Sequence, residues 1–186
     1  MMKRHWYLSL LALLCCELAV ADPSQEAAAT IEAVAERLEA RPNPTEWIDD
    51  YVAFDRVGRF VLGRQARILD PADRQRFNSR YTLLLKGTLQ KEMLRLQVSE
   101  FEIISVTSRS ERDQIVHTRV KTQDGRTEDL RFRLIKTEDG WRIVDLQALG
   151  LWLAIEQRAQ IGALFDVHGG DVAAVLSELE SASRAS

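Results

Sequence analysis

Apolar residues recur every three or four positions in the first third of the chain, a spacing typical of helices with one buried face. The first such stretch predicts a helix over residues 23–40, and the sequence RPNP at 41–44 ends it. A second helical region is expected to begin at Pro44 and to continue, with a bend, through Phe54 to Leu62. Gly63 is the predicted stop of this region because glycine commonly follows the last helical residue.

A third helix is predicted from Asp70, where the residue types match a helix start. Asp70 is followed by Pro71 and then by Asp73. This order supplies a capping side chain, a proline at the first helical position and an acid in the first turn. The apolar spacing allows the helix to run as far as Val98, a length that suggests a bend near Gly87.

Between residues 100 and 148 the spacing changes to the alternation expected of strands. Arg131 and Arg133, for example, alternate with Leu130, Phe132 and Leu134. The sequences QDGR and EDG favour tight turns between strands. The pattern therefore predicts four antiparallel strands, over residues 100–108, 114–122, 128–137 and 141–148.

Residues 149–155 are apolar almost without interruption. They open a predicted helix near 150–165, which a break at 168–171 separates from a short helix over 171–181. A helix with one buried side carries polar residues on its other side. This segment does not, so its sequence leaves open what covers its apolar surface.

The order helices, strands, helices predicts an α+β fold, with helices packed on one face of a four-stranded sheet. No repeat, low-complexity tract or linker indicates a second domain, so residues 22–186 are expected to form one domain. The large apolar content has two interpretations, a filled core or an apolar cavity between sheet and helices. The pattern of residues does not distinguish them.

The start of the chain predicts a secretory signal peptide. A basic start at Lys3 precedes an apolar run over 6–16, and small residues at 19–21 predict cleavage after Ala21. The run is too short to span a bilayer. Both cysteines, Cys15 and Cys16, lie in this segment, so the exported chain is expected to be held by its apolar core without disulfides.

Charge and motifs exclude several classes of function. The formal net charge of −3 argues against nucleic acid and against strong adsorption of the whole molecule to an anionic membrane. Neither a serine nucleophile motif, a zinc motif nor a phosphate-binding glycine loop is found in the sequence. His117 is interpreted as a sheet residue and His168 as a helix-ending residue. No cofactor, metal or catalytic residue is predicted.

Two stretches resemble the MlaC-type periplasmic phospholipid-binding proteins, also called the toluene-tolerance family. They are DDYVAFDRVGRFVLGRQARILDPADRQRF at 49–77 and DGWRIVDLQALGLWLAIEQRAQI at 139–161. The resemblance extends over nearly all of the chain after the signal peptide. The positions on the family pattern are Asp55, Val61, Leu62, Gly63, Pro71, Arg74, Phe77, Trp141, Arg142, Asp145, Gly150 and Arg158.

The resemblance implies a curved sheet of nuclear-transport-factor-2-like shape, covered by N- and C-terminal helices. It implies an apolar pocket for phospholipid tails, with the head group near the mouth. Such proteins shuttle lipid in the periplasm between an outer-membrane lipoprotein–porin complex and an inner-membrane ABC transporter, which maintains outer-membrane lipid asymmetry. Neither a cofactor nor catalysis is implied.

On this hypothesis residues 149–155 are apolar all round because one side packs on the protein and the other contacts an acyl chain. We also expect eleven side chains to form the pocket wall. They are Leu62, Phe77, Tyr81, Leu84, Leu89, Leu130, Phe132, Leu134, Leu146, Leu151 and Ile155. The strand from 141 leaves two alternatives, since Trp141 with Ile143 or Val144 with Leu146 can face inward. Leu151-Trp152 replaces the Val-Ser often found in the family, and Trp152 is expected to narrow the pocket or reshape its mouth.

Three alternatives remain at this point. One is a carrier of another apolar ligand, sterol-like or single-chained. The second is a small-molecule enzyme on the same fold, for which Asp145 is the best catalytic candidate, although we favour a role in holding Arg142 or a backbone amide. The third is a protein-binding module with a packed core.

Overall fold

A computed structural model of the protein describes residues 22–40, 43 and 46–185. The predicted signal peptide lies outside these residues. The α+β class is confirmed: helices flank one antiparallel sheet, which has five strands where four were predicted. Within the described part of the chain, no helix is both long enough and apolar enough to cross a membrane.

The described residues form five α-helices, namely α1 Pro23–Ala40, α2 Phe54–Leu62, α3 Pro71–Leu96, α4 Leu153–Val167 and α5 Val172–Ala185. The predicted start of α3 is confirmed, because the Asp70 side chain accepts a hydrogen bond from the backbone N–H of Asp73 at 2.8 Å. The helix ends at Gln97, which adopts a left-handed conformation with φ of 42°.

The strands form an antiparallel meander in the order β1-β2-β3-β4-β5. Their bounds are β1 Val98–Ser110, β2 Asp113–Thr122, β3 Thr127–Thr137, β4 Gly140–Ala148 and β5 Leu151–Trp152. Register shifts interrupt the β1–β2 and β3–β4 pairings. Such bulges bend a sheet and increase its twist, which accounts for its curvature.

The region before α2 differs from the single bent helix predicted from Pro44. It forms a short 3₁₀ helix, Ile48–Asp50, and then a non-helical stretch, residues 51–53, before α2 begins. The stretch pairs with β4: Val52 bridges Ile143 in parallel, and the Ile143 N–H donates to the Tyr51 carbonyl at 2.7 Å. Tertiary pairing with the sheet therefore overrides the local helical pattern.

The start of the last helical region also differs from the prediction. Leu149 and Gly150 form a two-residue turn, after which β5 pairs with the end of β4, so that α4 begins at Leu153 instead of near 150. Both turn residues have positive φ, 52° and 81°. Two-residue hairpins favour this geometry because its twist matches that of the strands, and glycine adopts it readily. The fifth strand is a product of this turn.

The buried residues form two separate clusters, here called the sheet core and the helical core. The sheet core joins α1 to the inner face of the sheet through Ala27, Ile31, Val34, Trp47, Val116, Phe132, Leu134, Trp141 and Ile143. The helical core joins α2 to α5 through Val57, Val61, Leu62, Leu69, Phe77, Tyr81, Ala154, Ile161, Phe165, Val175 and Leu179. The fold therefore has a boundary where helices meet the sheet.

A polar contact fixes α1 on the sheet. The Glu26 carboxylate accepts a hydrogen bond from Trp141 Nε1 at 2.8 Å and pairs with Lys136. These two donors, Lys136 first, lower the pKa of Glu26. The Lys136 ammonium also lies over the Trp141 ring, 5.5 Å from its centroid.

Candidate functional site

An apolar cavity of about 110 Å³ lies at the boundary between the two cores. Tyr81, Val57 and Ala154 line it from the helical core, and Phe132 and Ile143 line it from the sheet core. Its other lining residues are Val52, Leu85, Leu89, Met93, Val144, Asp145, Leu146, Leu153 and Gln157. An apolar cavity between sheet and helices was one of the two interpretations of the sequence, and the structure has one.

Helix α3 contributes one regular stripe to the cavity. Tyr81, Leu85, Leu89 and Met93 all line it, each four residues after the last. Side chains four apart lie on the same helix face, so the stripe follows from helical geometry once Tyr81 points inward. Tyr81 and Leu89 were predicted from the sequence as wall residues. Leu85 and Met93 were not, although the same four-residue spacing indicates them.

Strand β4 contributes four consecutive residues because its pairing contains a bulge. Phe132 pairs with Leu146 and Leu134 pairs with Ile143, so the register slips by one residue between them. The extra residue breaks the alternation of side chains. Ile143 and Leu146 therefore lie on the same face as Phe132 and Leu134, and both inward sets considered from the sequence reach the interior.

Asp145, the one carboxylate among the described residues that line the cavity, holds the backbone around it. Oδ1 of Asp145 accepts hydrogen bonds from the N–H groups of Leu146 and Ala154, both at 2.9 Å. Burial raises the pKa of Asp145, although these two bonds and the charge of Arg133 oppose the rise. The expected backbone role is confirmed. Arg142 instead donates to the carbonyl of Asp50.

Tyr81 places a hydroxyl beside this carboxylate. The side chain is 1% exposed, and its oxygen has no hydrogen-bond partner among the described residues. Burial, and after it the negative charge of Asp145, raises the pKa of Tyr81, so the phenol stays protonated. The described lining thus includes three polar side chains, those of Tyr81, Asp145 and Gln157, among apolar ones.

The predicted wall residues fall into three groups. Four line the cavity: Tyr81, Leu89, Phe132 and Leu146. Five are placed in the cores or against them: Leu62, Phe77, Leu84, Leu130 and Leu134. Two are exposed on the outer surface: Leu151 at 55% and Ile155 at 53%. Contact of any of these with lipid stays a prediction.

The apolar segment 149–155 does not have the arrangement expected from its sequence. Ala154 is buried, whereas Leu149 is 89% exposed and lies on the hairpin turn. Leu153 is 40% exposed and also lines the cavity. Trp152 pairs with Gln147 in the sheet, is half-buried, and is not among the described residues that line the cavity.

Several residues on the family pattern hold elements together. Gly63 ends α2 with φ of 58°, and a side chain there would meet Arg158, since a Cβ would lie 2.9 Å from its Nε. The Arg158 guanidinium continues to the Phe60 ring, 5.2 Å from its centroid. Arg74 donates to the carbonyls of Ala66 and Leu69, both at 3.0 Å. These contacts set how α2, α3 and α4 meet.

The histidines have the structural roles predicted. His117 in β2 lies 3.1 Å from the Thr107 hydroxyl, and burial together with the charge of Arg131 lowers the pKa of His117. His168 follows α4 and contacts the Glu178 carboxylate at 2.8 Å. In residues 22–40, 43 and 46–185, no group of three metal-ligating side chains is placed together.

Comparison with known proteins gives two findings. A family model described as MlaC protein matches residues 22–181. The chain is also similar to a solved structure, a phospholipid-binding protein from Ralstonia solanacearum in complex with a phospholipid. The TM-score is 0.73 and the identity 19%, over 88% of this chain and 98% of that one, which shows a shared fold. A search of curated proteins gives no match.

Proposed function

The chain belongs to the MlaC family, and from that premise we propose that it is a phospholipid carrier whose acyl-chain site is the cavity between its two cores. The observation that carries the proposal is the position and chemistry of that cavity. It separates two otherwise well-packed clusters and is lined mainly by aliphatic and aromatic side chains. The related fold in Ralstonia solanacearum holds a phospholipid.

The energetics favour a carrier over a tight binder. An acyl chain gains about 0.8 kcal/mol for each CH₂ group that leaves water. Transfer from a bilayer to an apolar cavity removes no such contact with water, so it is nearly neutral. A carrier therefore needs only to shield the chains during transit, which an apolar wall with few polar groups does.

The size of the cavity sets a condition on this function. Its volume of about 110 Å³ is below the range of roughly 300–1,000 Å³ that is usual for bound ligands of drug size. Lipid uptake on this proposal therefore requires the helical core and the sheet core to separate. Their boundary is the natural place for that movement, because few side chains belong to both.

We place the carrier in the periplasm, with its leader cleaved after Ala21. On the family resemblance, its partners are an outer-membrane lipoprotein–porin complex and an inner-membrane ABC transporter that it serves as an auxiliary protein. Shuttling between them would maintain outer-membrane lipid asymmetry. Catalysis forms no part of the proposal, since the hydrogen bonds from Leu146 and Ala154 give Asp145 a structural role.

Mass spectrometry of material released on unfolding tests the proposal. Purified protein is expected to release phospholipid near one molecule per chain, and the stripped protein is expected to take up labelled phospholipid from vesicles. Release of a single-chain or sterol-like compound would assign the same cavity to that ligand instead. Protein that is repeatedly lipid-free and takes up none from vesicles would refute the carrier function.

A further inference from the structure

The outer surface beside the cavity carries an unusual concentration of exposed apolar side chains. Ten large hydrophobic residues are exposed in the described part of the chain, and four of them fall within the seven residues 149–155. Single exposed hydrophobics are ordinary, whereas contiguous ones mark interaction sites. We call the group Leu149, Leu151, Ile155 and Phe60 the apolar tip.

Phe60 joins the tip through Arg158. Ile155 lies one helical turn before Arg158 on α4, and residues three apart share a helix face. The Arg158 guanidinium lies over the Phe60 ring, 5.2 Å from its centroid, and Phe60 is 40% exposed. The tip therefore extends from the β4–β5 hairpin across α4 to α2.

Arginines outnumber carboxylates around the tip: α2 and residues 149–158 carry Arg56, Arg59 and Arg158 against Asp55 and Glu156. Arg56 and Arg59 are exposed on α2 beside Phe60, and Arg158 stands between Phe60 and Ile155. No carboxylate in the described residues forms an ion pair with any of these three arginines. The nearby Asp55 carboxylate accepts a hydrogen bond from the Asn78 amide at 2.6 Å. Since Glu156 is also exposed beside Ile155, the three arginines and two carboxylates leave a net charge of +1 here, a small excess of positive charge toward an anionic surface.

The backbone at Leu149 is a second sign of function. Leu149 adopts φ of 52° at the hairpin turn, a conformation that asparagine and glycine tolerate better than leucine. Its side chain is 89% exposed and contributes little to the cores. Folding alone gives no reason for leucine at this position, whereas insertion of the side chain into an apolar medium does.

We propose that the apolar tip and its three arginines dock the protein on a membrane surface rich in anionic phospholipid, with the hairpin inserted among the head groups. The proposal rests on the carrier function, since it concerns how the cavity reaches its lipid. Aliphatic side chains with arginines beside them match the bilayer interface, where apolar burial and attraction to anionic lipids act together.

The connection to the cavity strengthens this choice of partner. Leu153 lies inside the same segment and both lines the cavity and reaches the surface. A docked hairpin would bring this edge of the cavity to the membrane, so that an acyl chain crosses little water. The chain as a whole carries a formal net charge of −3, which disfavours other orientations on an anionic surface.

Flotation with vesicles tests the proposal on the full protein. Wild type is expected to float with vesicles of phosphatidylethanolamine and phosphatidylglycerol, and less with neutral phosphatidylcholine vesicles. The pair Leu151→Ser and Ile155→Ser is expected to weaken attachment at least tenfold. Arg56→Gln with Arg59→Gln should weaken it about fivefold for each arginine, and only on anionic vesicles.

The matched control is Leu83→Ser on α3. The side chain of Leu83 is 56% exposed, about as much as those of Leu151 at 55% and Ile155 at 53%, but it lies outside the tip and away from Tyr81 around the helix. This variant is expected to float like wild type. All variants are expected to reach wild-type lipid content once loading from vesicles is complete, although the tip variants should load more slowly. Wild type that carries lipid but does not float would overturn membrane docking, leave the carrier function intact, and assign the tip to a protein partner. Tip variants that float like wild type would also overturn docking.

Discussion

At Leu149 the residue type that favours folding differs from the one that favours the proposed membrane docking. A non-glycine residue in the left-handed region costs roughly 1–2 kcal/mol, and Leu149 has φ of 52°. Asparagine tolerates this region and precedes glycine in the preferred two-residue turn. Leu149→Asn is therefore expected to raise the free energy of unfolding by about 1 kcal/mol in urea titrations, while attachment to anionic vesicles falls.

Leu149→Ala separates the two effects. It removes the apolar side chain but keeps a residue that is strained at positive φ, so stability should stay within about 0.5 kcal/mol of wild type while attachment also falls. An unfolding free energy that drops in Leu149→Asn would show that the leucine side chain supports the fold. In that case the strain argument for docking would be wrong.

Asp145 yields a prediction about pH. Burial raises its pKa in the folded state above the ordinary value of 3.8. The folded state therefore binds a proton more readily than the unfolded state, and ionisation at neutral pH costs stability. Asp145→Asn keeps an oxygen for the Leu146 and Ala154 N–H groups but removes the charge. It should be at least as stable as wild type at pH 7.

The stability advantage of Asp145→Asn over wild type should shrink as the pH falls from the raised pKa of Asp145 toward 3.8, because wild type then carries a neutral side chain too. Urea titrations of both proteins at pH 7 and pH 4 measure the change, and wild-type lipid content in the variant would show that the charge of Asp145 is not needed for lipid binding. A variant less stable than wild type at pH 7 but not at pH 4 would show that the carboxylate charge supports the fold.

Sequence reasoning at the residue scale succeeded where one local rule decides the outcome. The cap at Asp70 and the stop at Gly63 follow from short-range chemistry and are both found. It failed where partners distant in sequence decide. The register shift between Arg133 and Leu134 turns Ile143 and Leu146 to one face. No residue type in β4 indicates that shift.

At the scale of elements, α3 separates a cavity face from an outer face on one helix. Leu89 lines the cavity, whereas Leu83 is 56% exposed on the other side. Leu89→Trp adds bulk to the cavity, and Leu83→Trp adds the same bulk outside it. The first is expected to reduce phospholipid per chain several-fold in mass spectrometry, and the second to leave it unchanged.

Both variants should keep the circular dichroism spectrum of wild type, since Leu89 is only half-buried and overpacking typically costs 1–3 kcal/mol. Equal lipid content in the two variants would place the ligand somewhere other than this cavity. Loss of structure in Leu89→Trp would be visible in the spectrum, and Leu85→Phe, a smaller increase on the same stripe, would then serve in its place.

The elements themselves were predicted well because their periodicity is strong, whereas their connections were not. The region 48–62 shows helical spacing throughout, yet Val52 leaves the helix to bridge Ile143. Likewise β5 exists because a hairpin turn forms at Leu149 and Gly150. In both places the free edge of β4 gains a partner, and an unpaired strand edge is a liability that proteins cover.

At the scale of the whole molecule, the sequence indicated that apolar surface exceeds what amphipathic helices need, but not how that surface is divided. The structure divides it between two cores, a cavity of about 110 Å³ and an exposed tip. A cavity volume depends on how completely distant side chains meet, which no local pattern encodes. From the sequence, segment 149–155 was predicted to contact lipid inside the protein, because composition does not say which side of a helix is covered.

This division predicts how the ligand affects stability. Because the folded cavity binds lipid and the unfolded chain has no cavity, bound lipid stabilises the fold, by about 2.7 kcal/mol at one hundred times the dissociation constant. For a chain of 186 residues each kcal/mol corresponds to roughly 2–4 °C. Stripping the lipid should therefore lower the melting temperature by about 5–10 °C, and reloading from vesicles should restore it.

The cavity and the apolar tip should differ in how their variants affect the lipid-dependent shift in melting temperature. Leu89→Trp is expected to lose most of the lipid-dependent shift in melting temperature, because it fills the cavity. The pair Leu151→Ser and Ile155→Ser is expected to keep the full shift once loaded but to reload more slowly, because it impairs docking and leaves the cavity intact. If both sets of variants lost the shift equally, the tip would be part of the lipid site, and a docking surface distinct from the cavity would be ruled out.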